Sequence, residues 1–152
     1  MFAGLEKPSW TSVAFVAGPV LFFVVILVVA LNQSDDAAIE GTEWKLDMIQ
    51  VDGELSPVIE GSTTSLTLDG GTASGSGGCN SYQGAYELDG DALAFAPMAA
   101  TLMLCVDPPG ADEQEANYFA HLSGVDSVEV ADGELMLSSS SDVLLVFVAA
   151  DQ

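Results

Sequence analysis

Four Asp-Gly pairs punctuate the chain after residue 50: Asp52-Gly53, Asp69-Gly70, Asp89-Gly90 and Asp132-Gly133. An Asp-Gly pair between alternating runs marks a two-residue hairpin, because a type I′ turn needs positive φ at both central positions. The flanks alternate as strands would. Leu66 and Leu68 precede the second pair, and Tyr86 and Leu88 precede the third, which Leu93 and Phe95 follow. Val128 and Val130 precede the fourth, and Leu135 and Leu137 follow it. Upstream, Glu43–Met48 also alternates, which places Trp44, Leu46 and Met48 toward a core. Successive hairpins predict an antiparallel meander. The pairs have no fixed period, so the chain is not read as a repeat protein.

One helix is expected within the meander. Pro108-Pro109-Gly110 breaks the chain, and Asp112 stands three residues before Glu115, as the cap of a capping box does. Ala116, Phe119, Ala120 and Leu122 would form its buried face, and Gly124 would end it with positive φ. Ser138–Ser141 reads as a polar loop. Val143–Ala150 is continuously apolar and reads as a strand covered on both faces. The fold class is therefore α+β: a curved antiparallel sheet, a meander or a small barrel, packed with one helix.

The N-terminal part is of another kind. Residues 1–9 form a short tail, and residues 10–31, from Trp10 to Leu31, contain no charged residue. At about 1.5 Å per residue such a helix covers a hydrocarbon core of roughly 30 Å. The segment is read as a single-pass membrane anchor, with the short end inside and the C-terminal domain extracytoplasmic. The alternative is a signal peptide cleaved near Val28-Val29-Ala30, which would release a secreted domain. No cysteine follows the run, which excludes a lipid-modified N-terminus. Residues 32–41 are polar and acidic and read as a linker, and residues 42–152 as the folded domain.

Charge narrows the partners. The chain carries 23 acidic residues against Lys7 and Lys45, a formal net charge of −21. Phosphate contacts need cationic donors, so nucleic acid is excluded as a partner, and docking on anionic lipid headgroups is disfavoured. The acidity reads as a solvated, self-repelling surface, as adaptation to a salty medium, or as a diffuse Ca²⁺ sink.

Cys79 and Cys105 are the only cysteines. An even count beyond a membrane segment favours a disulfide over two buried thiols or a reactive cysteine. The single histidine, His121, is read as a helix residue with no catalytic or metal role. Asp107, Asp112, Glu113 and Glu115 lack EF-hand spacing and read as charges complementing a helix N-terminus. The glycines at 70, 71, 75, 77 and 78 form no phosphate loop and suit bulges or close backbone approach. Asn80 is expected to take a turn or to bond a neighbouring strand's backbone.

The residues Leu66-Thr67-Leu68, Gly71, Ser74-Gly75, Gly78-Cys79-Asn80, Tyr82, Gly84 and Tyr86 resemble the signature of the META domain, the family that includes HslJ. Thr101, Met103 and Cys105 resemble its Thr-x-Met-x-Cys run, Glu115, Phe119 and Leu122 its helix, and Trp44 and Leu46 its opening strand. The resemblance implies a curved sheet with a helix in an envelope-associated, stress-linked protein with no enzymatic activity. The expected function is non-enzymatic: an anchored domain that binds a protein or a small hydrophobic partner, with no cofactor, no metal and no catalytic residue. A carboxylate-dependent hydrolase and a Ca²⁺- or salt-dependent surface module are the alternatives.

Overall fold

A computed structural model describes residues 39–150. The expected tail, membrane helix and most of the linker lie outside the described residues. Among the described residues no helix is long and apolar enough to cross a membrane. The strands are β1 (Glu43–Val51), β2 (Glu54–Pro57), β3 (Ser65–Asp69), β4 (Thr72–Ser76), β5 (Ser81–Asp89), β6 (Ala92–Phe95) and β7 (Ala99–Ala100). Helix α1 (Ala111–Gly124) follows, then β8 (Ser127–Ala131), β9 (Glu134–Ser139) and β10 (Asp142–Ala149).

All the strand pairings are antiparallel, and the sheet closes on itself. The order runs β10-β9-β8-β6-β5-β4-β3-β1, and β1 also pairs with β10. The expected barrel-like sheet with one helix is thus observed. On its other edge β1 is shared: Glu43–Lys45 pair with β3, and Met48–Val51 pair with β2. The ring is weakest between β6 and β8, which meet only at Ala92 and Ser127.

The alternating side chains fill the interior. Leu66, Leu68, Leu93, Leu135, Leu137, Leu145 and Phe147 are fully buried, and α1 lays Tyr118 and Leu122 into the same core. Each such side chain contributes roughly 1.5–3 kcal/mol of transfer free energy. At the centre of β10, Leu144 to Phe147 are all buried, as expected of a strand covered on both faces.

Several local expectations are corrected. Met48 is only half-buried, and Ile49 takes its place in the core. The cause is a bulge at Asp47: Leu46 pairs with Phe147 but Met48 with Val146, so the inward alternation slips by one residue. Ile39 is buried and accepts a bond from Trp44 Nε1 at 3.0 Å, while the Tyr86 hydroxyl donates to Glu40. The end of the expected linker is therefore part of the fold.

Turn chemistry also shifts. Asp52-Gly53 and Asp132-Gly133 have positive φ at both positions and make the expected I′ turns. In the second hairpin the central pair is Gly70-Gly71, since Asp69 already pairs with Thr72. In the third it is Gly90-Asp91, with positive φ at Gly90. The expected polar loop at Ser138–Ser141 is instead a fifth tight turn: Ser139 pairs with Asp142, and Ser140 and Ser141 adopt φ of 52° and 77°.

The helix cap differs too. Gly110, at φ 86°, occupies the N-cap and no side chain caps the helix, so Asp112 is a first-turn charge rather than the cap. The buried face is Ala111, Gln114, Glu115, Tyr118 and Leu122, whereas Ala116 and Ala120 are exposed. Gly124 does not take positive φ; the chain leaves through Val125 in extended conformation. The face is set by hydrogen bonds made by Gln114 and Glu115, which outweigh apolar periodicity.

The serine turn generates a prediction. Left-handed backbone costs a residue with a Cβ roughly 1–2 kcal/mol. Replacing Ser140→Asn together with Ser141→Gly should therefore raise stability by about 1–2 kcal/mol, read as a higher midpoint in urea unfolding.

Candidate functional site

The site is assembled where the β4–β5 connection meets the first turns of α1. Glu115 is buried, and its carboxylate accepts three N–H bonds. Oε1 takes the backbone N–H of Asn80 at 2.7 Å and of Cys79 at 3.3 Å, and Oε2 takes Asn80 Nδ2 at 2.6 Å. Charge-assisted bonds of this kind are about twice as strong as neutral ones. The carboxylate does the work of a cap, supplied across space by the helix to a turn.

Asn80 holds the next segment with its other atoms. Oδ1 accepts Met103 N at 2.7 Å and Thr101 Oγ1 at 2.9 Å, and Nδ2 also faces Met103 O at 3.4 Å. The side-chain amide thus imitates one residue of a neighbouring strand, which is the backbone bonding expected of it. Cys79 and Cys105 are joined in a disulfide with Cα atoms 5.9 Å apart. Covalent bond and amide together pin Thr101–Cys105 to the barrel.

Glycine makes the approach possible. A Cβ on Gly77 would lie 2.5 Å from Glu115 Oε1 and 2.9 Å from Phe119 Cζ. A Cβ on Gly75 would overlap the Ser65 carbonyl, where the Tyr82 hydroxyl docks. Gly78 sits at φ 115°, and its N–H is held by Ser76 Oγ at 3.1 Å.

A second polar cluster lies beside the first. The Tyr82 hydroxyl donates to Ser65 O at 2.9 Å, which leaves Tyr118 to donate to Tyr82 at 2.6 Å. Burial pushes both phenols above their usual range. For Tyr82 the bond from Tyr118 opposes that rise, and for Tyr118 the neighbouring Tyr82 adds to it. Gln114 Oε1 accepts Ile59 N at 2.7 Å, and its Nε2 donates to Ser62 Oγ at 2.8 Å. Ser62 meets Thr64, whose hydroxyl donates to Gly77 O at 3.1 Å.

Of the residues singled out in the sequence, Gly78, Cys79, Asn80, Thr101, Met103, Cys105 and Glu115 converge here, and Tyr82 adjoins them. Trp44 is in the core, Gly84 lies under Met98, and Tyr86 bonds Glu40, all apart from this cluster. Gln114, Tyr118, Ser62 and Thr64 complete the site without a sequence signal; only the adjacency of Gln114 to Glu115 hinted at one. His121 Nε2 sits 2.7 Å from Gln50 O and ties the helix to β1. Asp107, Asp112 and Glu113 are exposed. The sulfurs of Cys79 and Cys105 and a Glu115 oxygen lie within 4.8 Å of one another, a donor set that becomes available to a metal only when the disulfide is reduced.

A closed antiparallel barrel with one packed helix, whose Asn and Glu side chains lock a disulfide-pinned segment, defines a small β-rich domain. The META domain profile matches residues 37–152, and the chain belongs to that family. No curated protein matches. Among solved structures, one from Burkholderia xenovorans is 26% identical with a TM-score of 0.61, covering 97% of this chain and 99% of that one. A second, also solved by NMR, is 22% identical with a TM-score of 0.58, covering 76% and 94% of the two chains. A DUF4847 family protein from Bacteroides vulgatus shares the fold at 13% identity, with a TM-score of 0.56 and coverage of 77% and 98%.

Two predictions follow from these contacts. Asn80→Ala removes a charge-assisted bond and the bonds to residues 101 and 103, and should cost about 2–4 kcal/mol in urea unfolding. It should also hasten proteolysis within residues 101–107. The second concerns alkaline pH. Burial, reinforced by the bond to Glu40, pushes the Tyr86 hydroxyl up to about 12 from its ordinary 10. The unfolded chain then sheds this proton first, so the stabilisation is complete below pH ~10 and is lost as pH rises through about 12. Tyr82 and Tyr118 act with the same sign. Unfolding free energy should fall across this window, and Tyr86→Phe should make the fall shallower.

Proposed function

We propose that this chain is a non-enzymatic, membrane-anchored domain on the extracytoplasmic side. It holds an apolar partner, a protein segment or a small hydrophobic molecule, and serves envelope stress tolerance. The observation that carries the reading is an uncharged cleft of about 440 Å³ lined by Phe95, Ala96, Pro97, Met98, Ala100, Phe119 and Ser123. Clefts of this size and character suit apolar ligands. Residues 92–106 contain no charged residue, in a chain with 23 acidic ones. The barrel interior is taken up by its own side chains, so recognition falls to this outer face.

The placement of the polar groups favours a binding role over a catalytic one. The Glu115 carboxylate is engaged by three N–H groups, the His121 ring is held at the Gln50 carbonyl, and the two sulfurs are bonded to each other. The charge-free run from Trp10 to Leu31 supports the anchor.

The test uses residues 37–152 and the neutral fluorophore N-phenylnaphthylamine, since an anionic probe would be repelled by the acidic surface. Ala100 lines the cleft and is exposed, so Ala100→Glu leaves the core intact. The fluorophore should bind, and Ala100→Glu should weaken binding at least about tenfold, because it sets a charge against an apolar ligand. Absence of binding, or equal binding by the variant, would refute the cleft as the site.

A further inference from the structure

The pinned segment after β7 presents a run of apolar side chains to solvent. Thr101 N donates to Ser81 O at 3.0 Å, and Thr101 Oγ1 and Met103 N both bond Asn80 Oδ1. Cys105 is buried in the disulfide. Thr101 and Met103 are thus held by polar atoms while remaining exposed, and only Cys105 is buried. The large apolar residues stand outward: Leu102 is 99% exposed, Leu104 87%, Val106 73% and Met103 60%. Four large apolar residues within residues 102–106 are therefore in water at once. A free loop with these residues would fold them back. Here the disulfide and the Asn80 amide hold them in water, and so large an exposed apolar row marks an interaction surface.

We infer that Leu102, Leu104 and Val106 insert into the interface of a lipid bilayer with zwitterionic headgroups. This deepens the anchored reading above and rests on it. The row projects rather than forming a groove, so its partner must be a medium that can wrap around it, as the headgroup–acyl boundary does. Charge selects among occupants. A second copy of a chain with formal net charge −21 is repelled. A cationic protein is drawn to carboxylates, which residues 92–106 lack. Anionic lipid needs basic residues, and the chain has only Lys7 and Lys45. A neutral interface meets none of these objections. The chain between Leu31, where the apolar run ends, and Ile39 reaches at most about 30 Å when extended, which keeps an anchored domain within reach of the surface.

The experiment uses the full chain in phosphatidylcholine nanodiscs, with and without brominated acyl chains. Leu104→Trp adds an indole at a solvent-exposed position, and Glu134→Trp adds one at an exposed position on β9 as the control. Signal from Trp10 and Trp44 is subtracted with the unsubstituted chain, and near-UV circular dichroism confirms that each variant is folded. The indole of Leu104→Trp should emit to the blue and lose intensity to brominated lipid; that of Glu134→Trp should do neither. Emission at the water position without quenching would overturn the insertion while leaving the anchor standing. A blue shift without bromine quenching that grows with protein concentration would overturn it in favour of a protein contact. Failure of the chain to enter nanodiscs would overturn the anchor and this inference together, independently of fluorophore binding in the cleft.

Discussion

The Asn80–Glu115 contact joins the three parts of this domain that the backbone alone leaves separate. A buried carboxylate is tolerated only where hydrogen bonds replace its hydration. Here the replacement comes from the backbone of the β4–β5 connection and from an amide side chain that is itself committed to the segment after β7. Sheet, connection and helix are therefore coupled through one pair of side chains. The glycine at position 77 follows from the same requirement, since a Cβ there would push Glu115 and Phe119 away. The disulfide adds a covalent tie between two points that the amide already holds in register. In the chain-entropy account a closed loop of this length stabilises by about 3 kcal/mol, comparable with the hydrogen bonds it accompanies.

This coupling gives the unusual surface a physical explanation. Apolar side chains exposed on a mobile loop bury themselves against whatever is near. The same side chains on a pinned segment stay in place. The cleft wall formed by Phe95, Ala96, Pro97, Met98 and Ala100 and the projecting residues Leu102 and Leu104 belong to one charge-free stretch of sequence.

The antiparallel class, the barrel-like closure and the helix were legible because alternation and Asp-Gly pairs are local signals that the tertiary fold left intact. What escaped the sequence was whatever depended on a partner strand. The bulge at Asp47, which exchanges Met48 for Ile49, arises from the register against β10 and leaves no mark on the alternating pattern itself. Ser140 and Ser141 have no left-handed preference, so only the pairing of Ser139 with Asp142 forces them into a tight turn. The helix face was misread for the opposite reason: Gln114 and Glu115 are polar, yet they are buried because each satisfies backbone groups dozens of residues away. Cysteine count and compartment logic indicated the Cys79–Cys105 pair. The convergence of Asn80, Met103 and Glu115 could be suspected only as a shared motif, since their separations of 23 and 35 residues carry no local signal.

The barrel is not uniformly closed. Between β1 and β10 five residue pairs face each other, whereas β6 meets β8 at Ala92 and Ser127 alone, supported by Leu93 N to Asp126 O and Val128 N to Asp91 O. Cooperative opening follows the poorest seam. The wall would part there first, hinging β6 away on its hairpin with β5 while β1, β9 and β10 stay zipped. Phe95, which lines the apolar cleft, rides on that hinged flap. The wall of the cleft that carries Phe95 is thus joined to the ring by β5 on one side and, on the other, by the sparsest pairing in the barrel.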